Sequence, residues 1–122
     1  MKNAITPAFL KKHPNFTVPQ VGMDFTVSYG SDCYAWRIVK VDEDCKGFFA
    51  QAYRPINKAV WPVQDWQFED ENGNPRLCGE PIHCKYFYGH WIKDQDSRYF
   101  GEVRERINPH FGSRCYYQDP SF

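Results

Sequence analysis

Between Asp24 and Arg54 the chain alternates apolar and polar residues at every second position, and this period restricts the fold more than any other feature. The runs DFTVSYG (24–30), CYAWRIVKV (33–41) and GFFAQAYR (47–54) carry it, separated by the turn-forming GSD (30–32) and DEDCKG (42–47). A strand sends successive side chains to opposite faces. Phe25, Val27 and Tyr29 therefore share one face of the first run, with Thr26 and Ser28 on the other. In the second, Tyr34, Trp36 and Ile38 oppose Ala35, Arg37 and Val39. Three such runs with short connections predict an antiparallel meander. The expected fold is all-β: a small, strongly bent antiparallel sheet or SH3-like barrel with a short N-terminal arm and room for one short helix.

The 122 residues fit one domain, with residues 1–20 as the arm and 21–122 as the β body. In the arm, Thr6 is placed to cap a helical turn, Pro7 to open it and Pro14 to stop it, with Phe9 and Leu10 docking on the body. Beyond Pro55 the pattern loosens. It suggests a short strand at 58–61 and another at 65–69, although a helical turn after Pro62 competes. Asn72-Gly73 marks a hairpin, LCGEPIHC (77–84) looks irregular, and KYFYG and HWIKD flank a turn at Gly89. YFGEVRERI (99–107) alternates, and HFGSRCYY (110–117) predicts a final strand, after which Phe122 is expected to pack.

Fifteen basic and fifteen acidic residues cancel. A zero net charge argues against general nucleic-acid binding and against polybasic attachment to a membrane, which both need a positive excess. The five cysteines are odd in number and form no CxxC, which predicts reduced thiols in a cytosol. The opening MKNAITPAFLKKHP has no apolar signal-peptide core, and no apolar run reaches membrane length.

Cys78, His83, Cys84 and His90 fall within thirteen residues, but adjacent His83 and Cys84 point to opposite sides of an extended chain. No metal and no cofactor are expected. His83, His90 and His110 lack the spacing of a recognised catalytic motif, so no catalytic residue is assigned. A ligand surface is better supported. Ten Phe, eight Tyr and four Trp suit strand cores as well as base-stacking or protein-binding surfaces, and several lie beside arginines. Guanidinium groups on phosphate and rings on a base are how a nucleotide is held. The candidate ligand-binding residues are Arg54, Trp61, Trp66, His90, Trp91, Arg98, Arg114 and Tyr117.

Two stretches resemble a group of small phage-encoded proteins of unassigned function. In VGMDFTVSYGSDCYAWRIVKV (21–41), Val21, Gly22, Thr26, Gly30, Ser31, Asp32 and Tyr34 fit a strand, a Gly-Ser-Asp turn and a Val-rich strand. In FGSRCYYQDPSF (111–122), Gly112, Arg114, Tyr117, Asp119, Ser121 and Phe122 fit a closing signature. GHW (89–91) matches more weakly, since Phe87 and Tyr88 stand where the group has basic residues, and Cys33 stands where an Arg is common. The resemblance implies a host-cell cytosol and a role against bacterial defence. The leading expectation is a homo-oligomer that sequesters a small nucleotide immune signal, a cyclic oligonucleotide or an NAD-derived cyclic nucleotide. A protein–protein inhibitor of a host defence or CRISPR effector is the alternative, and a phosphodiesterase acting on the same signals is the third.

Overall fold

The computed structural model describes residues 5–97 and 101–121, and it is mostly β with one short helix. Helix α1 (Pro7–Lys12) starts as its sequence dictates. Thr6 Oγ1 accepts from the Phe9 N–H at 3.1 Å, Pro7 occupies the first turn, and the chain leaves the helix at His13.

Strands β1 (Asp24–Tyr29), β2 (Asp32–Val41) and β3 (Gly47–Tyr53) form the expected meander. Short β4 (Ile56–Asn57) and β5 (Trp66–Gln67) pair with each other, and β6 (Leu77–Phe87), β7 (His90–Ser97), β8 (Gly101–Ile107) and β9 (His110–Phe111) complete the element order. The main sheet is antiparallel and ordered β8-β7-β6-β3-β2-β1-β9. It curls into a half-barrel with β8 and β9 as its edges, the bent-sheet form of the expectation rather than a closed barrel. The curl brings its two sides together: Phe111 on β9 lies 5.6 Å from Trp91 on β7 and 6.1 Å from Phe48 on β3.

The core fills this concave side. Phe25, Ile38, Phe48 and Cys84 are the largest fully buried side chains, with Trp91 and Ile107 beside them. The arm closes one mouth, since Phe16 stacks on Trp91 at 5.6 Å and Phe9 meets Tyr86 at 6.0 Å. Leu10 stays exposed instead of docking, so Phe9 alone anchors the helix.

Three local expectations are corrected. Residues 58–61 form no strand but part of a loop whose turn runs from Val60 to Val63, and the pairing falls on Ile56–Asn57 with Trp66–Gln67. The stretch 77–84 is a strand rather than irregular. Gly79 (φ +72°) and a register shift opposite Ala50–Ala52 absorb Pro81 into β6. The last strand is only His110–Phe111. After it Gly112 turns at φ +82°, and the chain continues as a strap over the outer face of β1 and β2.

Candidate functional site

The strap, residues 112–121, crosses the end of the sheet where β2 begins and β3 ends. Thr26 on β1 starts the attachment. Only 4% exposed, it donates from Oγ1 to the Ser113 carbonyl at 3.1 Å and accepts from the Cys115 N–H at 2.9 Å. Further along, Cys33 and Tyr117 exchange both backbone hydrogen bonds at 2.9 Å. Gln64 and Asp32 then hold the Gln118 and Asp119 backbone. Asp119 ionises more readily than an ordinary aspartate because Ser31 and then Ser121 donate to its carboxylate. Phe122, expected to pack, lies outside the described residues.

The pinned strap places Tyr116 among three other rings. Its ring centroid is 4.6 Å from Trp66 on β5, 5.4 Å from Tyr34 on β2 and 6.5 Å from Phe68. Trp66 is fixed in turn by donating Nε1–H to Gln64 Oε1 at 3.1 Å. The Arg114 guanidinium lies over Phe68 at 4.5 Å and faces the Tyr53 ring at 5.8 Å, and Nη1 donates to both carboxylate oxygens of Glu69 at 3.0 and 3.2 Å. Burial alone would make Arg114 easier to deprotonate. The hydrogen bonds to Glu69 and then to Tyr53 outweigh it and hold the cation.

Behind it, Tyr53 is a buried hub whose hydroxyl accepts from Arg37 at 3.1 Å and donates to Asp24 at 2.7 Å. Burial, followed by the bond to Asp24, keeps that phenol protonated. Arg54 follows Tyr53 but faces solvent. Its backbone N–H is held by Arg76 O at 2.7 Å, and its charge favours the ionised form of the Tyr116 phenol. Burial still dominates, and Tyr116 stays above its ordinary value.

The charge of exposed Arg54 thus reaches the Tyr116 phenol, and Trp66 and Arg114 are assembled around Tyr116 and Phe68, two residues absent from the candidate ligand-binding set. Their signal was present in the alternation of Trp66 with Phe68, but nothing local joins that pair to a ring fifty residues later. Tyr117 sits exposed at the same end of the sheet, and Trp61 is half-exposed on the loop between β4 and β5.

His90 and Trp91 lie elsewhere. They begin β7, opposite Phe87 and Tyr86, at the Gly47 end of β3, roughly 20 Å along the strand from Tyr53. Trp91 is 7% exposed and packs on Phe16, Phe48, Tyr86 and Phe111, so its ring is core and not a ligand surface. The reason is register: Trp91 falls on the concave face of β7, whereas His90 falls on the other side, exposed beside the turn. Arg98 lies outside the described residues.

No family model, curated protein or solved structure matches the chain.

His83 and Cys84 have structural explanations. His83 Nε2 meets Asp42 Oδ2 at 2.7 Å, and the imidazole stacks on Phe49 with ring centroids 4.6 Å apart. This joins β6 to the turn after β2. Cys84, its neighbour, points into the core, where burial pushes the thiol up to about 12. The opposed directions of residues 83 and 84 follow from strand alternation. Among the described residues no three His, Cys, Asp or Glu side chains gather as metal ligands. Nor is any helix among them long and apolar enough to cross a membrane.

Proposed function

We propose that the chain is a non-catalytic binding protein that captures a small anionic nucleotide at the strap end of the sheet. The observation that carries this reading is the cluster of Tyr116 with the Trp66, Tyr34 and Phe68 rings, with the exposed Arg54 near enough for its charge to act on the Tyr116 phenol. Arg54 supplies a cation for phosphate, and Trp66, Tyr116 and Tyr117 supply ring surface for a base. Arg114 has a different part. Its charge is taken by Glu69, so it braces Phe68 and Tyr53 and keeps the strap in place. A neutral protein with one focused cation suits a discrete ligand rather than a long polyanion.

The ligand class is a cyclic oligonucleotide or an NAD-derived cyclic nucleotide, and the action is sequestration of a host immune signal in the cytosol. Resemblance to phage-encoded proteins supports that setting. A homo-oligomer belongs to the same proposal, and native mass spectrometry reads it directly. Isothermal titration with a panel of these cyclic nucleotides tests the site. Binding in the micromolar range or tighter is expected, lost at least tenfold in Arg54→Ala. Silence across the panel at tens of micromolar overturns the reading.

A second reading has its own observation. Val60, Trp61 and Val63 are 86%, 48% and 65% exposed on one turn, closed by the Val63 N–H to Val60 O bond at 3.0 Å. Contiguous exposed apolar residues of this kind suit a protein partner, with Trp61 as its anchor. A stoichiometric host-protein complex abolished by Trp61→Ala, together with silent nucleotide titrations, favours an inhibitor of host machinery. Turnover of a labelled cyclic nucleotide, lost in His90→Ala or His110→Ala, would instead make the chain a phosphodiesterase.

A further inference from the structure

Cys33 and Cys115 are 82 positions apart in sequence, yet their sulfurs lie 2.9 Å from one another at the surface. Each is delivered there by its backbone. Cys33 is the second residue of β2 and exchanges two hydrogen bonds with Tyr117, and the Cys115 N–H is held by Thr26 Oγ1. The contact is therefore built into the way the strap is sewn to the sheet and is not a chance approach of two flexible side chains. The two thiols also differ. Cys115 is exposed, whereas Cys33 is half-buried beside Asp32. Of the remaining three, Cys45 lies in the turn between β2 and β3, and Cys78 and Cys84 lie on β6, with Cys84 sealed in the core.

We propose that Cys33 and Cys115 form a thiol–disulfide exchange site that takes a low-molecular-weight disulfide as its oxidant and closes a covalent bond between the strap and β2. Cys115, the accessible member, attacks as the thiolate. Its sulfur bonds to one sulfur of the small disulfide, the S–S bond of that molecule breaks, and one small thiolate leaves. Cys33 is the resolving residue. Its proton passes to solvent, its sulfur attacks Cys115 Sγ, and the mixed disulfide breaks to release the second small thiolate. Two protein thiols are oxidised to one disulfide, and one small disulfide is reduced to two thiols that take up the two protons. The sulfurs already lie 2.9 Å apart, so reaching a bond length of about 2.05 Å asks only for a short further approach of the two side chains. The bond encloses most of the chain and locks the strap that carries Arg114, Tyr116 and Tyr117. The site stands independently of any nucleotide.

Incubating the full chain with oxidised glutathione, followed by intact mass and peptide mapping without reduction, tests the site. Loss of two hydrogens, mapped to a Cys33–Cys115 link, is expected. Cys33→Ser should instead retain one glutathione on Cys115, because the resolving thiol is absent, and Cys115→Ser should form no such link. A Cys45→Ser/Cys78→Ser control should oxidise as the wild type does. The cross-linked protein should melt at least about 5 °C above its reduced form, the direction expected when a long loop is closed in the unfolded chain. An unchanged mass, or links scattered over other cysteines, overturns the site. A Cys33–Cys115 link with an unchanged melting temperature overturns the locking of the strap.

Discussion

The side chain of Gln64 holds the backbone of Gln118 from both sides. Its amide nitrogen donates to Gln118 O at 2.7 Å, and its amide oxygen accepts from Gln118 N at 2.9 Å. A carboxamide carries the same donor and acceptor as a peptide group, so Gln64 acts as a one-residue strand edge for the strap. Gln64→Ala should cost about 1–2 kcal/mol in chemical denaturation and speed amide exchange at Gln118. Gln64→Glu keeps the acceptor and loses the donor, so it should fall between the two.

Thr26 is the buried counterpart of that clamp. Thr26→Val keeps the shape and removes the hydroxyl, leaving the Cys115 N–H and the Ser113 carbonyl without this partner. A loss of about 1–3 kcal/mol is expected. Thr26→Ser retains the oxygen and should be destabilised less. Equal losses in the two variants would show that the methyl group matters as much as the hydrogen bonds.

Gly47 is required for a close approach rather than for a special backbone angle. A Cβ there would collide with the Asp42 carboxylate and lie 3.1 Å from the Cys84 carbonyl. Gly47→Ala should cost about 1–3 kcal/mol by overpacking. In an Asp42→Ala background the same change should cost less, and a double-mutant cycle reads the difference.

Arg114 and Arg54 should separate cleanly. Arg114→Ala removes the stack on Phe68 and the ion pair with Glu69, and should cost about 1 kcal/mol because the pair is partly solvated. Arg54→Ala should leave stability within about 0.5 kcal/mol of wild type while weakening nucleotide binding. Thermal melts alongside titration calorimetry distinguish the bracing arginine from the ligand-facing one.

Cys84 makes stability fall in alkali. Its thiol has an ordinary value of 9.0 when unfolded and about 12 in the core, so the folded state keeps a proton that the unfolded state loses. Its contribution is intact below about pH 9 and declines as pH rises toward 12. The melting temperature should drop over this range more steeply in wild type than in Cys84→Ala. Raised Cys33, Tyr34, Tyr53 and Tyr116 act in the same direction, so part of the slope should survive the substitution.

Strand chemistry was legible wherever the signal is local. The alternation of Phe25, Val27, Trp36 and Ile38 set the meander, Thr6 and Pro7 set α1, and Gly89 marked the β6–β7 turn, where Tyr88 and Gly89 both adopt positive φ. Gly79 and Pro81 are local breakers too, yet pairing with β3 through a bulge outweighed them. Trp61 and Trp91 show the other limit. The residue type is the same, but one lies half-exposed on a loop and the other lies against four aromatic rings, because only the curl of the sheet determines which face is enclosed.

By itself, the sequence determined an all-β chain, its first three strands, its capped N-terminal turn and a neutral charge that disfavours polyanions. Each of these depends on neighbours within a few residues. The tertiary structure alone decided that the closing segment is a strap rather than a strand. Gly112 turns the backbone, and the groups that then hold it belong to Thr26, Cys33, Gln64 and Asp32, between 54 and 89 positions away. Hydrogen bonds of that range leave no periodic trace in the sequence, and they bring Tyr116 to Trp66, Arg114 to Phe68 and Cys115 to Cys33.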